Sequence, residues 1–220
     1  MVRVGLCVRS REDKIDHGVY TLVGVNSKMG RLVRIAGLTL GTLTLFGFAY
    51  VLFLLSDLNP TYDNQEVGQL QSEIKNAEGL PKEFVDVVNE LKPITSTTGV
   101  LTDWMKTSYV RRCPCLEVAS INHNLYQGDN RFLGNRYILS LKLEKKVSQE
   151  ECLGFLVRHY DFLYGNTDIS KAAKFYFNKD FENLEKDEFA TLALMLENSS
   201  LYNPKRRPEL IAKRLDKLNY

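Results

Sequence analysis

Apolar positions along this chain form one unbroken block, followed by a series of short helical stripes. Residues 35–55 read IAGLTLGTLTLFGFAYVLFLL, with no charge among them. At about 1.5 Å per helical residue the run covers roughly 30 Å, the hydrocarbon thickness of a bilayer. A secretory signal peptide would carry an apolar region of about 7–15 residues with small residues at a cleavage site. This run is longer, lies behind a polar leader and ends in Phe53-Leu54-Leu55, so it predicts an uncleaved transmembrane anchor.

Beyond the block, the period changes to that of surface helices. Asp57 to Asn64 (DLNPTYDN) is turn chemistry, and Gln65 to Ala77 reads as a polar helix. Pro81 opens a second helix with Phe84, Val87, Val88 and Leu91 on one face, and Pro93 ends it. Residues 94–135, rich in Thr, Ser, Gly and Asn, read as irregular. Arg136 to Lys146 is a candidate helix. Ser148 and Glu151 form a capping box for a helix that turns Cys152, Phe155, Leu156 and His159 inward. Asp168 caps a helix carrying Ile169, Ala172, Ala173 and Tyr176. Leu184 to Glu197 carries Phe189, Leu192, Ala193 and Leu196, and Pro208 starts a last helix through Leu210, Ile211 and Leu218. No alternating strand pattern and no internal repeat stands out. The expected fold class is mainly α.

Charge sets the orientation. Arg3, Arg9, Arg11, Lys14, Lys28, Arg31 and Arg34 precede the apolar run, and the first basic residue after it is Lys75. Basic residues stay on the cytoplasmic side, which puts residues 1–34 inside as a loosely ordered tail and 56–220 outside. The formal net charge of +2 gives no reason to expect a nucleic-acid partner. Cys113, Cys115 and Cys152 fall in the exported part, enough for one disulfide and one free thiol; Cys7 is cytoplasmic. Cys113-Pro114-Cys115 lacks the second pair that a zinc site needs, and His17, His123 and His159 stand apart, so no metal site is expected.

Lys171 to Arg214 reads KAAKFYFNKDFENLEKDEFATLALMLENSSLYNPKRRPELIAKR. It resembles the closing segment of the bacterial peptidoglycan glycosyltransferases, the lipid II-polymerising domain of class A penicillin-binding proteins and monofunctional transglycosylases. The shared pattern is A-A-x-x-Y-F-x-K, a Leu, E-x-A-x-L-A, then Y-N-P with a further Pro and Arg. Here it falls on Ala172, Ala173, Tyr176, Phe177, Lys179, Leu184, Glu188, Ala190, Leu192, Ala193, Tyr202, Asn203, Pro204, Pro208 and Arg214. Upstream, Leu143, Glu144, Ser148, Glu151 and Leu153 resemble the family's L-E-x-x-x-S-K-x-E-I-L. The resemblance covers roughly residues 80–220. It implies a lysozyme-like helical glycosyltransferase domain behind one N-terminal transmembrane helix. The resulting division is a cytoplasmic tail (1–34), the span (35–55), a linker and polar helix (56–79) and the domain (80–220).

Lipid II polymerisation needs a carboxylate to take a proton from the acceptor hydroxyl and positive groups to hold the leaving pyrophosphate. The family's E-D-x-x-F-x-x-H-x-G falls on residues 90–99, where Glu90 and Gly99 keep their places and Leu91, Ile94 and Thr97 replace Asp, Phe and His. An ungapped alignment through Phe84 instead puts Lys92 at the Glu position. The block G-G-S-T-I-T-Q-Q reads CPCLEVAS here, Cys113 to Ser120, before Asn124-Leu125-Tyr126. In K-x-x-E-x-x-x-A-x-x-L-E, Leu143 and Glu144 remain, while Leu133 replaces the Lys and Arg136 the second catalytic Glu. An always-protonated guanidinium cannot serve as a carboxylate.

The candidate site is therefore Glu90 as base with Arg111, Arg112 and Arg136 as an anion-binding set, Arg136 pairing with Glu90 or Glu144 across the cleft. Val100 to Arg112, with Trp104, Met105, Lys106, Tyr109 and Val110, is a candidate membrane-contact segment. The expectation is a single-pass protein of the bacterial cytoplasmic (inner) membrane. It would act as a degenerate glycosyltransferase, binding lipid II, a glycan strand or other envelope proteins without polymerising, and without cofactor. The alternative is an active divergent enzyme using Glu90, assisted by a divalent metal.

Overall fold

The computed structural model describes residues 16–103, 111–126 and 134–217, with side chains from Met29 onward. The chain forms two compact units, residues 1–52 and 53–220. Helix α1 (Asp16–Leu55) runs unbroken for 40 residues, its last three, Phe53–Leu55, belonging to the second unit. Its segment Met29–Leu55, with a mean hydropathy of 2.0, is long and apolar enough to cross a membrane. The sequence predicts loose order up to residue 34, whereas the helix begins at Asp16. Residues 16–34 contain no proline, and extending an existing helix costs far less than nucleating a new one.

Apart from an isolated bridge between Ile94 and Arg112, the regular elements in the described part of the second unit are helices. Its helices are α2 (Asn64–Asn76), α3 (Lys82–Leu91), α4 (Thr97–Asp103), α5 (Pro114–Ile121), α6 (Arg136–Leu143), α7 (Gln149–Arg158), α8 (Ile169–Phe177), α9 (Lys186–Met195) and α10 (Pro208–Asp216). Local chemistry sets most boundaries. The Asp63 side chain accepts from Gln65 N at the start of α2, and Asp168 does the same for Ser170 N at α8. Ser148 and Glu151 close their capping box, and Glu185 with Glu188 forms a second one at α9.

Two readings of the sequence are corrected here. The stretch 94–135 is not wholly irregular: it holds α4, α5 and a 3-10 turn at His123–Tyr126. Helix α5 escapes a periodicity search because PCLEVASI is apolar around most of its girth, as suits a helix with Pro114, Cys115, Val118 and Ala119 buried. His159 does not turn inward. It caps the C-terminus of α7, exposed, with its ring stacked on Phe155 at 4.1 Å.

The core has α5 against α6 and α7, and α3 against α9. Phe84, Phe181 and Phe189 form an aromatic triad with centroids 5.3–5.8 Å apart, locking α3 onto α9. Helix α9 is buried on all sides from Phe189 to Met195. The segment between α1 and α2 is tied down: Asn59 donates to Leu54 O (3.0 Å), and Tyr62 Oη donates to Asn135 O (2.8 Å) and accepts from Asn135 N (2.9 Å). Cys115 and Cys152 form a disulfide joining α5 to α7, and Cys113 is a buried free thiol, so these three cysteines divide into one disulfide and one free thiol as expected.

Candidate functional site

Glu90 sits on the last turn of α3. Phe84, Val87 and Val88 bury one face of that helix, which turns Glu83, Asp86 and Glu90 to the neighbouring face at helical spacing. These three line a cavity of about 450 Å³ together with Glu182, Leu184, Lys186 and Phe189. Lys186 Nζ stands 3.9 Å from Glu90 Oε2, and Lys82 pairs with Asp86 at 2.5 Å. Four carboxylates therefore face this cavity against one lysine, and a site of that sign repels a pyrophosphate.

None of the three candidate arginines lines that cavity. Arg112 is buried, its Nη2 donating to Leu196 O at 3.0 Å and its Nε 3.2 Å from Glu117 Oε1. Its backbone pairs with Pro93 O and Thr95 N, so it ties the segment after α3 to the start of α5. Arg111 pairs with Asp103 at 3.2 Å. Arg136, exposed at the start of α6, lies 5.1 Å from the Tyr137 ring and donates to its hydroxyl at 3.3 Å. Among the described residues it pairs with neither Glu90 nor Glu144, which corrects the expected closure across the cleft. For Glu144 helical geometry is the reason, since it caps the far end of α6, about 12 Å along the axis from Arg136 at the first position.

What the fold does gather is a buried polar knot at the junction of the three sequence blocks. Glu144 Oε1 accepts from Thr97 N (2.8 Å), Thr97 Oγ1 (2.6 Å) and Gln149 Nε2 (2.7 Å). A carboxylate only accepts, so the single Thr97 hydroxyl proton goes to Glu144, and Ser140 donates to Thr97 Oγ1 at 2.6 Å. Gln149 Oε1 in turn accepts from Cys115 N at 3.1 Å, and Cys113 Sγ lies 3.6–3.7 Å from Thr97, Glu144 and Gln149. Burial pushes the Cys113 thiol above its ordinary range, which makes it a poor nucleophile. The knot is satisfied from within.

Glu117 was not singled out from sequence. A lone acid in a short helix normally reads as solvated, yet burial pushes its carboxyl above the ordinary range while the nearby Arg112 and Lys92 charges hold it down. Lys92, which an ungapped reading of the sequence offers in place of Glu90, thus lies in the Arg112–Glu117 neighbourhood rather than in the acidic cavity. Among the described residues, no group of three His, Cys, Asp or Glu side chains is placed to hold a metal ion. Trp104, Met105, Lys106, Tyr109, Val110 and Leu133 lie outside the described residues, as do residues 1–15 with Cys7.

Comparison with known proteins accords with the part of the chain that folds around α6–α10. Residues 130–219 match the transglycosylase family model. Penicillin-binding protein 1A of Streptococcus pneumoniae is 32% identical over 71 residues, covering 32% of this chain and 10% of that protein. Penicillin-binding protein 2a of the same organism is 37% identical over 68 residues, covering 31% of this chain and 9% of that protein. The chain thus spans about a tenth of the length of these relatives. The blocks at residues 90–99 and 113–120 lie upstream of the family match.

Proposed function

We propose that the chain carries a divergent transglycosylase-family domain and is a membrane-anchored, degenerate glycosyltransferase; the match of residues 130–219 to the transglycosylase family model supports the family part of this reading. It binds a component of the peptidoglycan pathway, lipid II or a glycan strand, or another envelope protein, without polymerising. The observation that carries this reading is the separation of the candidate chemical groups. Glu90 faces an acidic cavity, while Arg111, Arg112 and Arg136 are engaged elsewhere with Asp103, Glu117 and Tyr137. A glycosyl transfer from a pyrophosphate donor needs a base and anion-holding donors around one point. Losing one positioned acid or base typically costs about 10²–10⁴ in rate, and losing oxyanion-type donors a comparable factor.

The domain faces the outside of the cytoplasmic membrane, with the N-terminus inside. The Cys115–Cys152 bridge supports this side, because disulfides persist in oxidising compartments. Fluorescent lipid II incubated with the purified full chain and resolved on a gel tests the activity, with a polymerising transglycosylase as positive control. The expected result is retention of labelled lipid without polymer. Robust polymer that disappears in Glu90→Gln would establish the active-enzyme alternative instead.

A further inference from the structure

Where the apolar helix ends, a cavity of about 210 Å³ opens, lined by Leu55, Asp57, Val67, Lys142, Lys145 and Lys146 among others. Its walls are built from charge. Lys145 Nζ donates to Leu55 O at 2.5 Å and Lys142 Nζ donates to Ser56 O at 2.7 Å, so two ammoniums hold the last carbonyl of α1 and the one just after it. A helix C-terminus carries about half a negative charge. Three ammoniums against the Asp57 carboxylate and that half charge leave the cavity clearly cationic. Lys142 is 4% exposed and also lies 5.4 Å from the Tyr62 ring, so it belongs to the wall. Lys145 keeps two N–H groups after its bond to Leu55, and the ammonium of exposed Lys146 forms no hydrogen bond or ion pair with the described residues.

Position supplies the ligand. Leu55 is the last residue of the candidate span and also lines the cavity, which puts the cavity at headgroup depth. We propose that it binds the phosphate of an anionic phospholipid, with Lys145 and Lys146 as the donors and Leu55 and Val67 against the glycerol and upper acyl carbons. The proposal rests on reading Met29–Leu55 as a membrane span. It is independent of whether the domain polymerises glycan. A phospholipid is favoured over free phosphate because Leu55 and Val67 add apolar walls that inorganic phosphate cannot use, and because the membrane presents headgroups at this depth in high local concentration.

Native mass spectrometry of the full chain in neutral detergent, titrated with phosphatidylglycerol or phosphatidylcholine, tests it. Phosphatidylglycerol is expected to stay bound preferentially, and Lys145→Gln with Lys146→Gln to weaken it about 30-fold, two surface lysines' worth of anionic-lipid attraction. Lys145→Arg with Lys146→Arg should retain binding, and Lys213→Gln with Lys217→Gln, an equal charge change on α10 and just after it, should leave it unchanged. Millimolar inorganic phosphate should fail to displace the lipid. Equal retention of both lipids, equal weakening by the α10 pair, or displacement by inorganic phosphate overturns the proposal. A chain that inserts into vesicles but shows no lipid preference sinks this inference alone; a chain that fails to insert removes the span reading and this site with it.

Discussion

Thr97 and Glu144, 47 residues apart, are joined twice: Glu144 Oε1 takes both the backbone N–H and the hydroxyl proton of Thr97, at 2.8 and 2.6 Å. The contact thus ties the entry of α4 to the end of α6. Because the knot is buried and internally satisfied, its groups are expected to act on stability.

Glu144→Ala leaves the Thr97 and Gln149 donors without their acceptor and should cost about 3 kcal/mol; Thr97→Val keeps the shape and should cost about 1–2 kcal/mol. The double variant should show a coupling of about 0.5–3 kcal/mol by urea denaturation. Additive losses would mean that the two residues do not share one network.

Arg112 joins three segments through its backbone pairing with Pro93 and Thr95, its bond to Leu196 O and its approach to Glu117. Arg112→Ala should destabilise by about 3 kcal/mol, because Leu196 O loses its donor and the partly buried Glu117 its counter-charge. Arg112→Lys should recover only part of that, since one ammonium cannot reproduce the planar fork. Full recovery by lysine would show that charge alone matters there.

Much of this architecture was legible because several helices carry their own start signals. Asp63, Ser148 with Glu151, and Asp168 cap where short polar residues precede an apolar stripe, and Pro208 opens α10 where its missing N–H costs nothing. Helix α5 was illegible to periodicity because burial on nearly every side removes the polar face, although Pro114 at its first turn was a usable start signal. The site was harder. Glu90 and Arg136 were chosen from an expected alignment and Arg111 and Arg112 from a basic segment, but sequence position says nothing about side-chain direction. Arg136 illustrates this: its guanidinium meets the Tyr137 hydroxyl rather than a carboxylate of the expected cleft. Glu117 was missed for the opposite reason, since its importance lies in a tertiary neighbour and in burial, neither of which a single sequence displays.

The Cys115–Cys152 bridge spans 37 residues, and a loop of that length restricts the unfolded chain by about 4 kcal/mol in the loop-entropy model. Cys115→Ser with Cys152→Ser should therefore lower stability by roughly 3–4 kcal/mol, measured against the oxidised protein. Cellular placement makes the same bridge a topology probe. Reporter fusions at Asn64 and Tyr220 should both register export, and a cytoplasmic signal from either would refute the N-inside orientation. Protein collected directly into alkylating reagent should carry the bridge already formed.

The Tyr176 hydroxyl donates to Phe162 O at 2.7 Å and accepts from Asn203 Nδ2 at 3.4 Å, linking the A-A-x-x-Y-F segment to the Y-N-P segment. Burial pushes its ionisation up to about 12. The folded-state value is raised above that of the unfolded chain, about 10, so the unfolded chain loses this proton first. Stability from the neutral hydroxyl is therefore complete below about pH 10 and is lost as pH rises toward 12. Tyr176→Phe should be about 1 kcal/mol less stable near neutrality, because Phe162 O and the buried Asn203 lose a partner. The same variant should show a shallower fall in urea midpoint across the alkaline range than the parent protein. Tyrosinate absorbance of the folded parent should contain one late-ionising group that the variant lacks. An unchanged alkaline slope in Tyr176→Phe would assign that dependence to another of the tyrosines and leave the hydroxyl with a purely hydrogen-bonding role.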